Sequence, residues 1–451
     1  MREIYLGRPA DGTPGIIPYK ADRHLMLIGP NGSGKGTRLL VQNLIYGFER
    51  SMLVIDPKGE LAALTIAYRR RKGDVVVLNP FGLLVEKRPD LQLQSTGFNP
   101  LQRLDPNSAN FPDDATGLAE ALVRIEGEDS HWAASAQELV AALIMHARRK
   151  LGPAGSLGDV RRMLTAATVR DPATKEPVSG FLYTISEMAF CDYAPLEAKA
   201  GRFVVESRET NSILSTATTQ TRFLDSPVIA ADLAKGGFDF AEMKRRVVTV
   251  YLILPADRLR THSGWLRLMV DSALRALYTP PNRALPPVLF VLDEFAQLGH
   301  MAVIEDAMGI ARGYGVQLFP ILQDLNQLQS LYRDRWQSFV ANAGALMAFT
   351  PRDAFTAQYL SNLAGQKTQW VRSMSSGTSS SPGGDGTSQN FSLKPEAAPK
   401  FRPEKLMAMA EGEALLFLQG VEQPIIIKAP YHWELPELAK HVGDNPYYER
   451  A

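Results

Sequence analysis

"GPNGSGKGT", Gly29 to Thr37, is the stretch that decides the fold. Gly29, Gly34 and Lys35 keep the spacing of a phosphate-cradling loop, G-x-x-x-x-G-K-[ST]. Gly36 stands where that pattern has Ser or Thr, and Thr37 follows one place late. The apolar run "HLMLIG" (His24 to Gly29) precedes the loop and reads as a buried strand. "TRLLVQNLIYGF" (Thr37 to Phe48) follows it and reads as a helix. Strand, glycine loop and helix are the context such a loop requires. Glycines let backbone N–H groups converge on phosphates, a helix N-terminus favours anions, and the lysine reaches the β- and γ-phosphates. The competing reading is a glycine-rich turn formed by chance, which the spacing and the flanking elements together disfavour.

Outward from the loop, short apolar strands alternate with helices. "SMLVIDPKGEL" gives a strand ending at Asp56-Pro57, then a turn and a helix through "AALTIAYRRR"; "DVVVLNPF" (Asp74 to Phe81) gives a third strand. "RRRK" (Arg69 to Lys72) reads as the solvated end of that helix. Strands return with "VVTVYLIL", "PPVLFVLDEF" (Pro286 to Phe295), "VQLFPILQD" (Val316 to Asp324) and "GALMAFTP" (Gly344 to Pro351). This alternation predicts an α/β fold, with a mostly parallel sheet covered by helices on both faces.

Between Asp105 and about residue 228 the pattern changes. "DATGLAEALVRI", "HWAASAQELVAALIMHARRK", "LGDVRRMLTAA", "SGFLYTISEMAF" and "TNSILSTATTQTRFL" all carry helical spacing. No strand is expected there. The expected organisation is a nucleotide-binding domain in two parts, 1–104 and 229–451, interrupted by an all-α insertion, 105–228. Within the second part, Ser373 to Ser392 is rich in Gly and Ser and is expected to be a flexible loop. "GEALLFLQGVEQPIIIKAPYH" is expected to close the fold as a hairpin.

Composition narrows the class. Of 451 residues, 45% are apolar and 22% charged, as in ordinary globular domains, and the formal net charge is +1. Any polyanion contact must therefore come from a local patch. One cysteine, Cys191, excludes an internal disulfide and a cysteine metal cluster, and reads as a buried small residue in a reducing cytoplasm. No apolar run reaches the roughly 18 residues of a membrane span.

A nucleotide motor needs acids facing its loop. "VLFVLDE" ends an apolar strand in two of them, and parallel strands present their C-terminal ends to ligands. Asp293 is placed to hold Mg²⁺, directly or through water, and Glu294 to polarise the attacking water. An acidic strand end at the surface is the plainer alternative. At Gly36 there is no hydroxyl for Mg²⁺. Thr37 lies about 100° further round the helix and does not simply substitute; it reads as an α-phosphate contact. Mg²⁺, which keeps several waters, would then rest on Asp293, waters and phosphates.

"GPNGSGKG", "VIDPKGEL", "HWAASAQELV", "SILSTATTQ" and "VLDEFAQLG", in this order, resemble the coupling-protein ATPases of type IV secretion and conjugation, the TraG/TraD group. The resemblance covers nearly the whole chain, and loops ending G-K-G are common in the group. It implies a RecA-like P-loop core, an all-α insertion and a homo-hexameric ring, with ATP and Mg²⁺ as cofactors. It puts the loop residues Gly29, Pro30, Asn31, Gly32, Ser33, Gly34, Lys35, Gly36 and Thr37 at the nucleotide. Asp293 and Glu294 fall on the second acidic motif. Gln323 in "ILQDLNQL" falls where the group has a γ-phosphate sensor. Arg312 in "GIARGYG" matches the region of an arginine finger acting in trans, and Arg23 matches a second arginine at the nucleotide; a surface charge is the alternative for each. Full-length members carry membrane helices ahead of the motor, and this chain starts almost at the first strand. The expected place is cytoplasmic, with a peripheral one at the inner membrane as its variant.

The expected function is an ATP-driven coupling protein. It would pump single- or double-stranded DNA, without sequence preference, or a relaxase-bearing substrate, to inner-membrane components of a secretion channel. The insertion is the expected meeting place for that substrate. The alternative is a nucleotide-binding docking platform without strong ATPase activity, which Gly36 favours and the Asp293–Glu294 pair opposes. A metabolite kinase fits less well, because such enzymes are usually small.

Overall fold

The apolar runs read as strands in the sequence do form strands. The computed structural model describes residues 3–125, 130–170, 174–205, 207–278, 286–381 and 384–448. In chain order the strands are β1 (Ile4–Pro9), β2 (Ile17–Tyr19), β3 (His24–Ile28), β4 (Met52–Ile55), β5 (Asp74–Leu78), β6 (Thr168–Arg170), β7 (Pro177–Ser179), β8 (Val248–Leu252), β9 (Val288–Leu292), β10 (Val316–Leu322), β11 (Ala343–Phe349), β12 (Gln366–Ser381), β13 (Gly384–Pro399), β14 (Glu413–Leu418) and β15 (Ile425–Lys428).

Among the described residues, eleven strands form one sheet in the order β2-β1-β15-β14-β11-β3-β10-β9-β4-β8-β5. From β11 to β5 every neighbouring pair is parallel. From β11 outward to β2 every pair is antiparallel. Every residue of β3, β4, β8, β9 and β10 is buried, which explains their largely apolar sequences.

Strand alternation divides the core. Leu25 and Leu27 of β3 and Leu289 and Val291 of β9 point to one face, against Leu40, Leu44 and Leu61 of the two helical segments after β3 and β4. Met26, Ile28, Val288, Phe290 and Leu292 point to the other. That second face packs against the helix Leu259–Tyr278, where Trp265 is fully buried, and the same cluster continues without a break into Leu139, Leu143, Phe181 and Phe203.

Between β5 and β8 the chain is mainly helical, with helices Phe111–Leu122, Ser130–Leu151, Leu157–Thr165, Gly180–Ala189, Ala194–Ala200, Arg208–Gln220 and Pro227–Asp232. Ser156 shows why one of them starts where it does: its hydroxyl and Asp159 cap each other's backbone ends. The expectation of no strand here is corrected by the short antiparallel hairpin β6–β7, three residues a side and too short to leave a periodic signal.

Four further readings change. Residues 373–392, expected to be a flexible loop, belong mostly to the antiparallel ribbon β12–β13, whose register runs from Gln366↔Pro399 to Ser381↔Gly384. Backbone pairing satisfies a Gly/Ser-rich chain without a core, and residues 382–383 lie outside those described. Strands β1 and β2 precede the one expected to be first. Arg69 is fully buried, not solvated: Nε donates to Thr249 Oγ1 at 2.6 Å, Nη1 to Gly47 O at 2.9 Å and Nη2 to Arg50 O at 2.7 Å, joining the helix end to the sheet. Cys191 is half-buried, with Sγ 3.8 Å from the Tyr193 carbonyl oxygen.

Candidate nucleotide site

The parallel strands deliver the site residues side by side. In the sheet order β3-β10-β9-β4, the loop leaves β3, Gln323 ends β10, Asp293 and Glu294 end β9, and Asp56 ends β4. The Gly29 N–H donates to Leu322 O at 2.9 Å, which pins the loop to β10. Gly32 and Gly34 both have φ of +79°, where a side chain is strained, and a Cβ on Gly34 would lie 2.8 Å from Arg38 Cδ. Ser33 Oγ is buried with no hydrogen-bond partner. Lys35 Nζ donates to Gly29 O at 2.6 Å, so its ammonium is folded back over the loop. The first helical turn is wide: Val41 donates to Gly36 O, five residues back. Thr37 Oγ1 reaches Gly34 O at 3.4 Å.

Glu294 has the left-handed backbone φ 50°, ψ 42°. This is uncommon for a side-chain-bearing residue and clusters at functional sites. Asp293 Oδ1 accepts from the Glu294 N–H at 3.0 Å, and the Gln323 side-chain amide donates to Glu294 Oε2 at 3.2 Å. Burial, and secondarily the Glu294 carboxylate, pushes Asp293 up to about 6. Burial pushes Asp56 up to about 7, against the Ala62 N–H that Oδ2 accepts at 2.8 Å. Burial lowers Lys35, opposed by Asp293 and Glu294.

Most of the loop, with Lys35, Asp56, Asp293 and Glu294, lines a cleft of about 650 Å³. Its remaining wall comes from the far end of the chain, including Tyr431, Trp433 and Asn445. The donor set fits a magnesium nucleoside phosphate. A glycine cradle, an orphan hydroxyl at Ser33 and Lys35 suit phosphates. Two carboxyl groups that burial holds toward neutrality suit a divalent cation that would draw off their protons. Gly36 lends no hydroxyl, but its missing side chain leaves room: a Cβ there would meet only Leu61 Cδ2, at 4.0 Å.

The structure brings together the loop from Gly29 to Thr37, including Pro30, Asn31 and Ser33, with Asp293, Glu294 and Gln323. It does not bring Arg23 and Arg312 to them. Both stand at the N-terminal ends of their strands, β3 and β10, across the sheet from the loop. Arg312 Nε donates to Asp22 Oδ1 at 2.7 Å, and the Arg23 carbonyl accepts from Gln317 at 2.6 Å. Sequence reasoning assigned no role to Asp56, although it carries the same signal as Asp293, an acid ending an apolar parallel strand. The C-terminal wall left no signal beyond its clustered aromatics.

Among the described residues, no helix is long and apolar enough to cross a membrane. Residues 6–448 match the family model "Type IV secretory system Conjugative DNA transfer". A conjugal transfer protein TraG of Escherichia coli is 27% identical over 397 residues, covering 81% of this chain and 59% of that protein. The protein VirD4 of Agrobacterium fabrum (strain C58 / ATCC 33970) is 24% identical over 422 residues, covering 88% and 57%. The chain thus spans somewhat under two thirds of these relatives. Among solved structures, the plasmid coupling protein TrwB in complex with the ATP analogue ADPNP superposes with a TM-score of 0.66 at 17% identity, covering 95% of this chain and 94% of that one. TrwB with ADP and Mg²⁺ gives 0.64 at 16%, covering 91% and 85%. The RecA-like P-loop core implied by the resemblance is thereby the fold of this protein, and the chain belongs to the type IV secretory family of conjugative DNA-transfer coupling proteins.

Proposed function

We propose that this chain is the ATP-hydrolysing motor of a coupling protein. In this reading it recruits a DNA or relaxase–DNA substrate and drives it toward the inner-membrane components of a type IV secretion channel. One observation carries it: Lys35, Asp293, Glu294 and Gln323 converge on the glycine loop from the ends of adjacent parallel strands. The TrwB structures that hold an ATP analogue, or ADP with Mg²⁺, share this fold and support the choice of ligand.

Bound Mg²⁺–ATP supplies the scissile phosphoanhydride and the charge that favours ionised acids. The chain's residues do the rest. Backbone N–H groups of Gly32 to Lys35 and the Ser33 hydroxyl hold the phosphates, and Lys35 swings from Gly29 O to the terminal ones. Asp293 holds the metal, with Asp56 beside it as a second acid. Glu294 orients water and takes its proton, and Gln323 fixes the Glu294 carboxylate. Arg23 and Arg312, remote from their own loop, serve the neighbouring subunit's nucleotide in a homo-hexamer. The helices within 105–228 meet the substrate.

The test is ATP turnover with and without single- and double-stranded DNA, on wild type and Glu294→Gln. Turnover that DNA stimulates and Glu294→Gln abolishes supports the motor. Tight nucleotide binding with no turnover under any condition would leave a docking platform instead.

A further inference from the structure

The cleft has a polarity that tells where a base must lie. Lys35, Asp293 and Glu294 mark its γ-phosphate end. Thr37, the next helical position after the loop, marks its α-phosphate end. A nucleoside therefore leaves the loop past Arg38. There the C-terminal wall begins: the Arg38 guanidinium carbon lies 3.4 Å from the centroid of the Tyr431 ring. Tyr431 in turn stacks on Trp433, with centroids 4.2 Å apart and planes 12° from parallel.

The stack is braced from behind. Arg38 Nη1 donates to Ala429 O at 2.9 Å and Nη2 to Glu411 Oε1 at 2.6 Å, and the Tyr431 hydroxyl donates to the same Glu411 oxygen at 2.6 Å. Trp433, by contrast, is 55% exposed although it lines the cleft. Leu61 and Leu64 of the helix after β4 line the same cleft. Gly443 N–H donates to Leu64 O at 2.7 Å and Asn445 to Glu60 Oε1 at 2.6 Å, holding the last residues against that helix. His432, also on the cleft, packs edge-on against Trp433, with ring centroids 4.8 Å apart. A braced aromatic ladder with one ring open and apolar side chains lining the same cleft form a slot for a flat heteroaromatic ring.

We propose that Tyr431, His432 and Trp433 form the base-binding subsite of this nucleotide site, with Trp433 stacking on the purine of the bound nucleoside phosphate. The proposal rests on the nucleotide reading of the loop. It makes a C-terminal segment, some 400 residues from the loop in sequence, part of ligand recognition. A ring face reads aromatic area rather than base edges. Adenine and guanine nucleotides are thus both accepted, and pyrimidine nucleotides held less tightly.

Calorimetric titration of wild type, Trp433→Ala and Trp433→Phe with Mg·ADP and with Mg·tripolyphosphate, which has no base, decides the matter. The expected result is an ADP affinity about tenfold weaker in Trp433→Ala, near wild type in Trp433→Phe, and tripolyphosphate affinity unchanged in both. Trp433→Ala that keeps wild-type ADP affinity overturns the subsite. So does an equal loss for both ligands, which would make Trp433 a structural brace. Wild type that binds tripolyphosphate as tightly as ADP sinks the base subsite alone, and wild type that binds neither sinks the nucleotide reading with it.

Discussion

Gln323 donates its side-chain amide to Glu294 Oε2 at 3.2 Å, joining the ends of two adjacent parallel strands. The contact holds a carboxylate whose backbone already sits in the left-handed region. Glu294→Gln keeps the size of the side chain and loses its basicity. Turnover should fall at least a hundredfold with nucleotide affinity retained. Gln323→Ala should lower turnover less, because Glu294 remains but is no longer held, and Lys35→Ala should weaken binding itself. Steady-state hydrolysis beside nucleotide titration checks all three. Wild-type turnover in Glu294→Gln would remove this residue from the chemistry.

Gly36 has space for a hydroxymethyl group, with Leu61 Cδ2 4.0 Å from where its Cβ would stand. Gly36→Ser should therefore fold normally and reach half-maximal turnover at a lower Mg²⁺ concentration. Thr37→Ala should reduce nucleotide affinity severalfold while leaving the Mg²⁺ requirement in place. Magnesium titrations of both variants read this directly; turnover equal with and without metal would contradict the assignment of Asp293.

Arg312 is half-exposed and held by Asp22 on the side of the sheet away from its own loop. A finger that acts on a neighbour predicts complementation. Arg312→Ala and Glu294→Gln chains, each nearly inactive alone, should regain part of the activity when mixed, since some interfaces then carry both groups. Full turnover by Arg312→Ala on its own would reduce the residue to a surface ion pair.

A pH test lies away from the nucleotide. Burial pushes Asp271 up to about 6, even though its Oδ2 accepts from Arg275 Nε at 2.8 Å. The folded chain thus keeps a proton that the unfolded chain releases near pH 4, so stability falls as pH rises from about 4 to about 6. Asp271→Asn should flatten that part of the profile and be more stable near pH 7, by on the order of 2 kcal/mol. Denaturant melts of both proteins from pH 4 to 8 measure the difference, and parallel profiles would refute it.

The sequence carried the parts of the site that recur as local patterns. Gly29 to Thr37 had spacing and flanks, and Asp293–Glu294 ended an apolar run. Gln323 was placed through the resemblance, and the sheet sets it beside Glu294. Asp56 was equally visible as a strand-ending acid, but its place beside Asp293 depends on strand order, which no local pattern encodes. Arg69 looked solvated because charge predicts exposure on average; its carbonyl and hydroxyl acceptors come from segments up to 180 residues away. Tyr431 and Trp433 were beyond reach for the same reason, since only the folded chain puts them next to Arg38.

The shared hydrophobic cluster has a mechanical meaning. Phe290 and Leu292 of the motor sheet, Trp265 of the bridging helix and Leu143 and Phe203 of the inserted helices belong to one continuous interior. The part expected to grip cargo and the part expected to burn fuel share this apolar cluster, so the two should melt as one cooperative unit rather than in succession. In the proposed motor, a push delivered at the strand ends would reach the inserted helices through close-packed side chains instead of through a swinging tether. The insertion is better pictured as a cam cast in one piece with its shaft than as a tool held in a socket.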